Sequence, residues 1–318
     1  MSATSIVQSL VRGLRGRMRG GFSERTLRQL MNGAPWARRR VLVRLLPQPG
    51  QFSPTDGREA LIEDVRLKLF PREFIQWVHY FGWPDPNFES LSCLAQSKST
   101  LLDIGANVGV YALRTAARAS HCRVTAIEAH PRTFARLCAN AEMNAGLRVE
   151  LLHAAVAAES GTLRLYDVEQ GDSGLATAIA RPGMNEKRAI DVQAVTLDEL
   201  VSARGLEPDL LKIDVEGYEP DVLAGGEKTI ARLKPCIVLE WTPEWSRGRE
   251  QVASRAVDVL EAQGYRAWKV PSLDAPRMQA VTLSDLRSTT GPQQNLVVSC
   301  DASVPDRIEA WFRRLAGR

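Results

Sequence analysis

The stretch Leu102-Asp103-Ile104-Gly105-Ala106-Asn107-Val108-Gly109 constrains this chain more than any other segment. A short apolar run passes directly into a glycine-rich turn, and a helical pattern follows over residues 111–119. Glycine at such a turn lets a ligand approach the backbone where a Cβ would block it. Taken alone, the motif fits equally well a tight strand-to-helix turn that serves only the fold.

A second element lies one strand further on. The run Val124-Thr125-Ala126-Ile127 ends in Glu128, which places a carboxylate at the carboxyl edge of the expected sheet. In open α/β folds ligands bind at that edge, and an acid there can accept hydrogen bonds from both hydroxyls of a ribose. The pair points to a nucleoside ligand. The spacing is not G-x-G-x-x-G, and Asp103 just before the turn would repel a pyrophosphate. The same acid can bind the ammonium of a methionine moiety, which favours S-adenosylmethionine over a dinucleotide. The third element is Leu211-Lys212-Ile213-Asp214-Val215-Glu216-Gly217. Strand alternation puts Lys212 and Asp214 on one face. Asp214 emerges at the ligand edge, whereas Lys212 lies deeper and needs a counter-charge. Glu240, at the end of the next expected strand, is the expected partner. Asp214 and Glu216 are the candidates for removing a proton from a weakly acidic hydroxyl.

From residue 100 onward strand and helix signals alternate, the pattern of a parallel sheet covered on both faces. Strands are expected at 123–127, 149–153, 210–214 and 236–240, with helices at 131–144, 220–233 and 250–263. The alternation breaks at 162–166 and 190–195, which bracket a polar loop over 170–185. An antiparallel pair, 265–270 with 295–300, and a helix at 304–315 close the chain. Upstream, short β-like runs at 41–46 and 63–70 precede an aromatic cover segment over 74–83. The expected division is a basic tail (1–40), a β/aromatic cover segment (41–99) and a ligand-binding domain (100–318).

The pieces DIGANVGVYAL, AIEAHP, ARLCANAEMN, SGLAT, VTLDEL, LLKIDVEGYEPDVLAGG and KPCIVLEW, in this order and spacing, resemble the FkbM family of methyltransferases. The resemblance covers about residues 60–300, and KIDVEG is its most distinctive piece. It implies an α/β, Rossmann-like class I methyltransferase fold, with a mostly parallel seven-stranded sheet, helices on both faces and an N-terminal extension. It also implies methyl transfer from S-adenosylmethionine to a hydroxyl of a sugar, glycan or secondary metabolite. Carried over residue by residue, Asp103, Gly105, Asn107, Gly109 and Glu128 would hold the cofactor. Ser173 and Gly174 would lie near cofactor or acceptor, Asp214 and Glu216 would face the acceptor, and Asn295 matches a further family position. The chain departs from the family in reading Trp83-Pro84-Asp85-Pro86 before the first main strand and Ala129-His130-Pro131 after the second.

Other classes fit less well. A nucleobase N-methyltransferase would carry N/D-P-P-Y/F/W where this chain has Asp214-Val215-Glu216-Gly217. A cytosine C5 enzyme needs a Pro-Cys nucleophile at the ligand edge, and Pro235-Cys236 starts a strand at the opposite end. A nicotinamide-dependent oxidoreductase and a non-catalytic nucleoside-binding module on the same fold are the alternatives. A divalent cation is compatible with Asp214 and Glu216 but not required, and no complete metal ligand set is readable.

Of the 318 residues 41 are Lys or Arg and 37 Asp or Glu, and a net charge of +4 gives no reason to expect a nucleic-acid partner. Five scattered cysteines without a CxxC pair fit a reducing cytoplasm better than a disulfide framework or a zinc site. The first 40 residues hold nine arginines against the single acid Glu24. This reads as a solvated tail, with a membrane-surface helix or a targeting peptide as alternatives. No long apolar core of a secretory signal is present in it, so export is not expected.

Overall fold

The computed structural model describes residues 21–96, 98–166, 176–179, 189–246, 249–288 and 290–316. Ser173 and Gly174, and most of the expected 170–185 loop, lie outside the described residues, as do the first 20 residues of the basic segment. The chain divides into two compact units, one ending at Asp85 and the other running Pro86–Arg314.

The first unit contains helices Gly21–Gly33, Trp36–Leu42 and Phe74–Tyr80 and a hairpin of β1 (Arg58–Ile62) and β2 (Val65–Leu69). Glu63 and Asp64 form its two-residue turn, both at positive φ (50° and 69°), the geometry that matches the twist of hairpin strands. The alternation Val65, Leu67, Leu69 inward and Arg66, Lys68 outward seats β2 on the local core. Here the strand expected at 41–46 is corrected. Val41 and Leu42 end a helix, and Val43–Leu45 is a 3₁₀ turn. Ala, Arg and Leu are strong helix formers and outweigh two valines in so short a run. His79 is buried with its Nε2 3.2 Å from Asp85 Oδ2. Glu24 is buried as well, paired with Arg58 and accepting a 2.6 Å bond from the Tyr80 hydroxyl.

The second unit is built on an eight-stranded sheet ordered β12-β11-β13-β10-β9-β3-β4-β5. Its strands are β3 (Thr100–Ile104), β4 (Arg123–Glu128), β5 (Val149–His153), β9 (Leu210–Ile213), β10 (Cys236–Trp241), β11 (Arg266–Lys269), β12 (Gln279–Val281) and β13 (Gln294–Ser299). Neighbours from β10 to β5 run parallel, and pairings on the β13 side are antiparallel. This is the Rossmann-like class I methyltransferase architecture, with eight strands where seven were expected. The extra one is the three-residue β12 at the edge, too short to announce itself in sequence.

The chain lays down β3, β4 and β5 in one direction, then returns to the other side of β3 for β9 and β10. The order therefore reverses between β3 and β9, and at such a switch point the loops diverge and leave a crevice at the carboxyl ends. All five residues of β3 and all four of β9 are buried, as expected of strands covered on both faces. Leu102, Ile104, Leu211, Ile213, Ile237 and Leu239 pack with Val257 and Leu260 of the helix Glu250–Ala262.

The break in alternation is a separate three-stranded sheet, β6 (Ala155–Ala157), β8 (Ile190–Thr196) and β7 (Gly161–Leu165), between β5 and β9 in sequence. The helix expected at 220–233 is two helices, Glu219–Ala224 and Glu227–Leu233, interrupted at Gly225-Gly226. A Cβ at Gly225 would collide with the Ala157 carbonyl of β6, so the break lets this helix pair lie against the small sheet. Among the described residues no helix is long and apolar enough to cross a membrane.

Candidate active site

Three turns meet at the switch point, after β3, β4 and β9. The first spans Gly105 to Gly109. Gly105 and Ala106 donate their N–H groups to the Ile127 carbonyl, each at 2.9 Å, which ties the turn to the end of β4. Gly105, Asn107 and Gly109 all have positive φ, at 80°, 50° and 85°. Asn tolerates this region because its short polar side chain bonds locally, and glycine tolerates it for want of a Cβ. Asn140, buried in the helix Pro131–Glu142, donates to the Val108 carbonyl at 2.8 Å and fixes the far side of the turn.

Glu128 holds the first two turns together. One carboxylate oxygen accepts the Asn107 N–H at 2.9 Å and the other accepts the His130 N–H at 2.8 Å. Burial pushes its carboxyl up to about 7, against the opposing pull of these two N–H groups and of the Lys212 charge. Asn107 Oδ1 is buried and has no hydrogen-bond partner among the described residues.

The third turn, Asp214 to Gly217, starts where Asp214 donates its N–H to the Ile104 carbonyl at 3.1 Å. Glu216 sits at φ 55°, a costly setting for a non-glycine residue, and Gly217 follows at 98°. Thr177, in the SGLAT piece, holds this conformation by donating its hydroxyl to the Glu216 carbonyl at 2.7 Å. Glu219 secures it from beneath, since its Oε1 accepts both the Val215 and Gly217 N–H groups at 3.0 Å. Burial pushes the Glu219 carboxyl up to about 7. Glu219→Ala orphans two N–H groups, at about 1–3 kcal/mol for a buried group left unsatisfied. Its urea midpoint should fall accordingly, with Glu219→Gln recovering most of the loss because an amide oxygen still accepts. Equal stability of wild type and Glu219→Ala would rule out this anchoring.

The expected Lys212–Glu240 pair is not formed. The Lys212 ammonium lies 3.2 Å from Asp103 Oδ1 and 3.4 Å from Asp214 Oδ2, donates to the Gly105 carbonyl at 2.7 Å, and stands 5.3 Å over the Tyr111 ring. Register explains the difference. Asp103 is directly opposite Lys212 across the β3–β9 ladder, while the residue opposite it on β10 is Val238, two positions short of Glu240. Asp103 itself, expected at an ammonium of the ligand, is 0% exposed, so the ammonium it faces here is the chain's own. Burial raises its carboxyl above the usual range and Lys212 opposes that rise.

Glu240 instead joins Asp214 and Glu216. Each can offer one carboxylate oxygen, and the three atoms lie within 4.8 Å of one another. Burial and the neighbouring charges of Asp214, Glu216 and Glu219 push the Glu240 carboxyl up to about 10. Three carboxylates so close need either a shared proton or a cation, and their oxygens suit a hard divalent ion. Gln293 donates to Glu240 Oε1, and Asn295, opposite Glu240 in the β10–β13 ladder, has a buried Oδ1 without a partner among the described residues. The Asp214 side chain is 36% exposed, so a carboxylate steadied on one oxygen by Lys212 is open to an incoming group. The structure thus brings Gly105, Asn107, Gly109, Glu128, Asp214 and Glu216 to one sheet edge. Sequence reasoning passed over Asn140, Thr177 and Glu219, whose roles lie in hydrogen bonds to main-chain atoms, and misjudged the partner of Lys212. His153, stacked on Phe134 with its ring nitrogen 3.1 Å from the Ala129 carbonyl, supports the second turn.

The chain is 30% identical over 132 residues to the hexuronic acid methyltransferase AglP of Haloferax volcanii, covering 41% of this chain and 51% of that one. It is 29% identical over 157 residues to the 2-O-methyltransferase NoeI of Sinorhizobium fredii, covering 45% and 64%. The matches thus span about half to two thirds of these relatives' lengths. Among solved structures, the methyltransferase FkbM from Methylobacillus flagellatus aligns with a TM-score of 0.41 at 12% identity, over 86% of this chain and 57% of that one. The model of the methyltransferase FkbM domain matches residues 103–267, just over half of the chain and all three turns of the site, and the chain therefore belongs to the FkbM methyltransferase family.

Proposed function

We propose that this protein is an S-adenosylmethionine-dependent O-methyltransferase acting on a hydroxyl of a sugar, glycan or secondary metabolite. The observation that carries the reading is the convergence, at one switch point, of a glycine turn, a buried ribose-type acid and a half-open carboxylate. The relatives named as a hexuronic acid methyltransferase and as a 2-O-methyltransferase support the acceptor class.

The residues present fit the cofactor. Glu128 has lone pairs beyond those given to Asn107 and His130 and can accept from a ribose diol. Asn107 Oδ1 is a buried acceptor that still lacks a donor. The turn at Gly105 keeps side-chain atoms away from the backbone that a ligand would approach. When bound, S-adenosylmethionine supplies an electrophilic methyl group on a sulfonium. The chain's part is to hold the acceptor hydroxyl and remove its proton. On this reading Asp214, with its Oδ2 held by Lys212, accepts that proton. Glu240 and Glu216 lie beside it to share a proton or a divalent cation. Much of the acceleration on this reading comes from orienting the two reactants. A basic N-terminal segment contacting a membrane surface is not needed for it.

Calorimetric titration with S-adenosylhomocysteine, beside NAD as the alternative ligand, tests the reading. Binding of the first and not the second is expected, with Glu128→Ala weakening it. No binding by the folded wild type removes the proposal. A pH effect follows from Glu128. Its carboxyl is raised to about 7 from an ordinary 4.5, so the ionised form that accepts from both ribose hydroxyls is gained as pH rises through 7. S-adenosylhomocysteine should bind about tenfold more weakly at pH 6 than at pH 8, because a group of that pKa is only about one-tenth ionised at the lower pH. Glu128→Gln should flatten the profile, and an unchanged profile in that variant would assign the pH effect to another group.

A further inference from the structure

One side chain reaches across the two halves of the site. Gly105 lies in the turn that faces the cofactor on the reading above, and Asp214 lies in the turn that faces the acceptor. Lys212 touches both. An ammonium has three N–H donors, and here three acceptors surround it, namely the Gly105 carbonyl, Asp103 Oδ1 and Asp214 Oδ2. The lysine side chain is 6% exposed and its face is covered by the Tyr111 ring, so any effect it has on chemistry passes through the groups it holds.

The arrangement is more than a neutralised buried pair. A pair with Asp103 alone would meet the need for a counter-charge. The third contact reaches up the face of β9 to Asp214, and the bond to Gly105 crosses to the neighbouring strand. The turns are also in direct contact, because a Cβ at Gly105 would meet the Asp214 carbonyl and Asp214 N–H bonds the Ile104 carbonyl. A shift of the glycine turn therefore moves the point on which the ammonium rests, and with it the carboxylate that the ammonium orients.

We propose that Lys212 is a positioning residue that bridges the Gly105 carbonyl to the Asp214 carboxylate, so that seating of the cofactor and orientation of the base are one coupled event. This rests on the methyltransferase reading for its consequence, but the bridge itself is testable without any ligand. Asp103 is its fixed foot, placing the ammonium between the two turns.

The test compares wild type, Asp103→Asn, and the double variant Lys212→Met with Asp103→Asn. The double variant removes both buried charges together and so avoids stranding one of them, which is the damaging case. Asp103→Asn alone leaves Lys212 on its other two partners. Hydrogen exchange is read at the amides of 105–109 and 214–217, and S-adenosylhomocysteine affinity and kcat are measured beside it. Loss of Lys212 should speed exchange at least tenfold in both turns together. It should also weaken S-adenosylhomocysteine at least tenfold and lower kcat at saturating cofactor, each by more than Asp103→Asn alone does. Exchange that rises in one turn only, or equally in the single and double variants, overturns the bridge. Faster exchange in both turns of a protein whose wild type binds no S-adenosylhomocysteine keeps the bridge and overturns the methyltransferase reading instead.

Discussion

Gly105→Ala should lose S-adenosylhomocysteine affinity by at least 100-fold, about 2.7 kcal/mol. The residue sits at φ 80°, where a Cβ costs about 1–2 kcal/mol from local sterics alone. The added carbon would also come closer than 3.0 Å to the Asp214 carbonyl oxygen, a main-chain atom that cannot rotate aside. Relief requires the β3 turn to part from the β9 turn, and that separation disorders the surface that a ligand would use. Calorimetry gives the affinity, and far-UV circular dichroism shows whether the sheet persists. Gly146→Ala is the control, since nothing lies within 4 Å of a Cβ there and its φ is ordinary. If Gly105→Ala bound as tightly as wild type, the turn would have no part in the ligand site.

Asp214→Asn should reduce kcat by roughly 10²–10⁴, the range for loss of a positioned general base. The substitution keeps the shape of the side chain and leaves Lys212 bound to Asp103 and Gly105. Affinity for S-adenosylhomocysteine should therefore stay within about threefold, since the change falls on the acceptor side, and that split separates loss of a base from loss of the cofactor site. Full activity in Asp214→Asn, with the protein folded and binding, would move the base to Glu240 or Glu216.

Much of this was legible in the sequence, for identifiable reasons. The strands that carry the site are buried on both faces and read as apolar runs broken by one charge each, so Leu101 to Ile104 and Leu210 to Ile213 stood out. The turns that follow them need glycine at positive φ, which marks the ligand edge at Gly105, Gly109 and Gly217. Glu128 was visible because a lone acid at the end of an apolar strand has few structural uses. The partner of Lys212 was not legible, because its strand has a neighbour on each side and the sequence does not say which residue of either comes to stand opposite the lysine. Glu240 is one strand further on in the chain, yet Asp103, more than 100 residues earlier, stands opposite the lysine. Thr177, Glu219 and Asn140 went unseen for a related reason: each serves a main-chain atom, and main-chain atoms leave no letter in the sequence. The Val41 region misled because β-branched residues suggest a strand even when the residues before them favour a helix.

The reversal of strand order has a consequence for how the protein comes into being. The bond from Lys212 to Gly105 closes over a separation of 107 residues, and the small sheet with its loop lies inside that span. Contacts of such range are entropically late, because the intervening chain must be gathered before they repay their closure. During synthesis the β3–β4–β5 half emerges and pairs with itself while the strand that completes the crevice has not yet been made. On the proposed function, ligand affinity therefore waits for β9 to be made and to dock beside β3, and a chain interrupted anywhere between β5 and β9 would carry a glycine turn with nothing to face it.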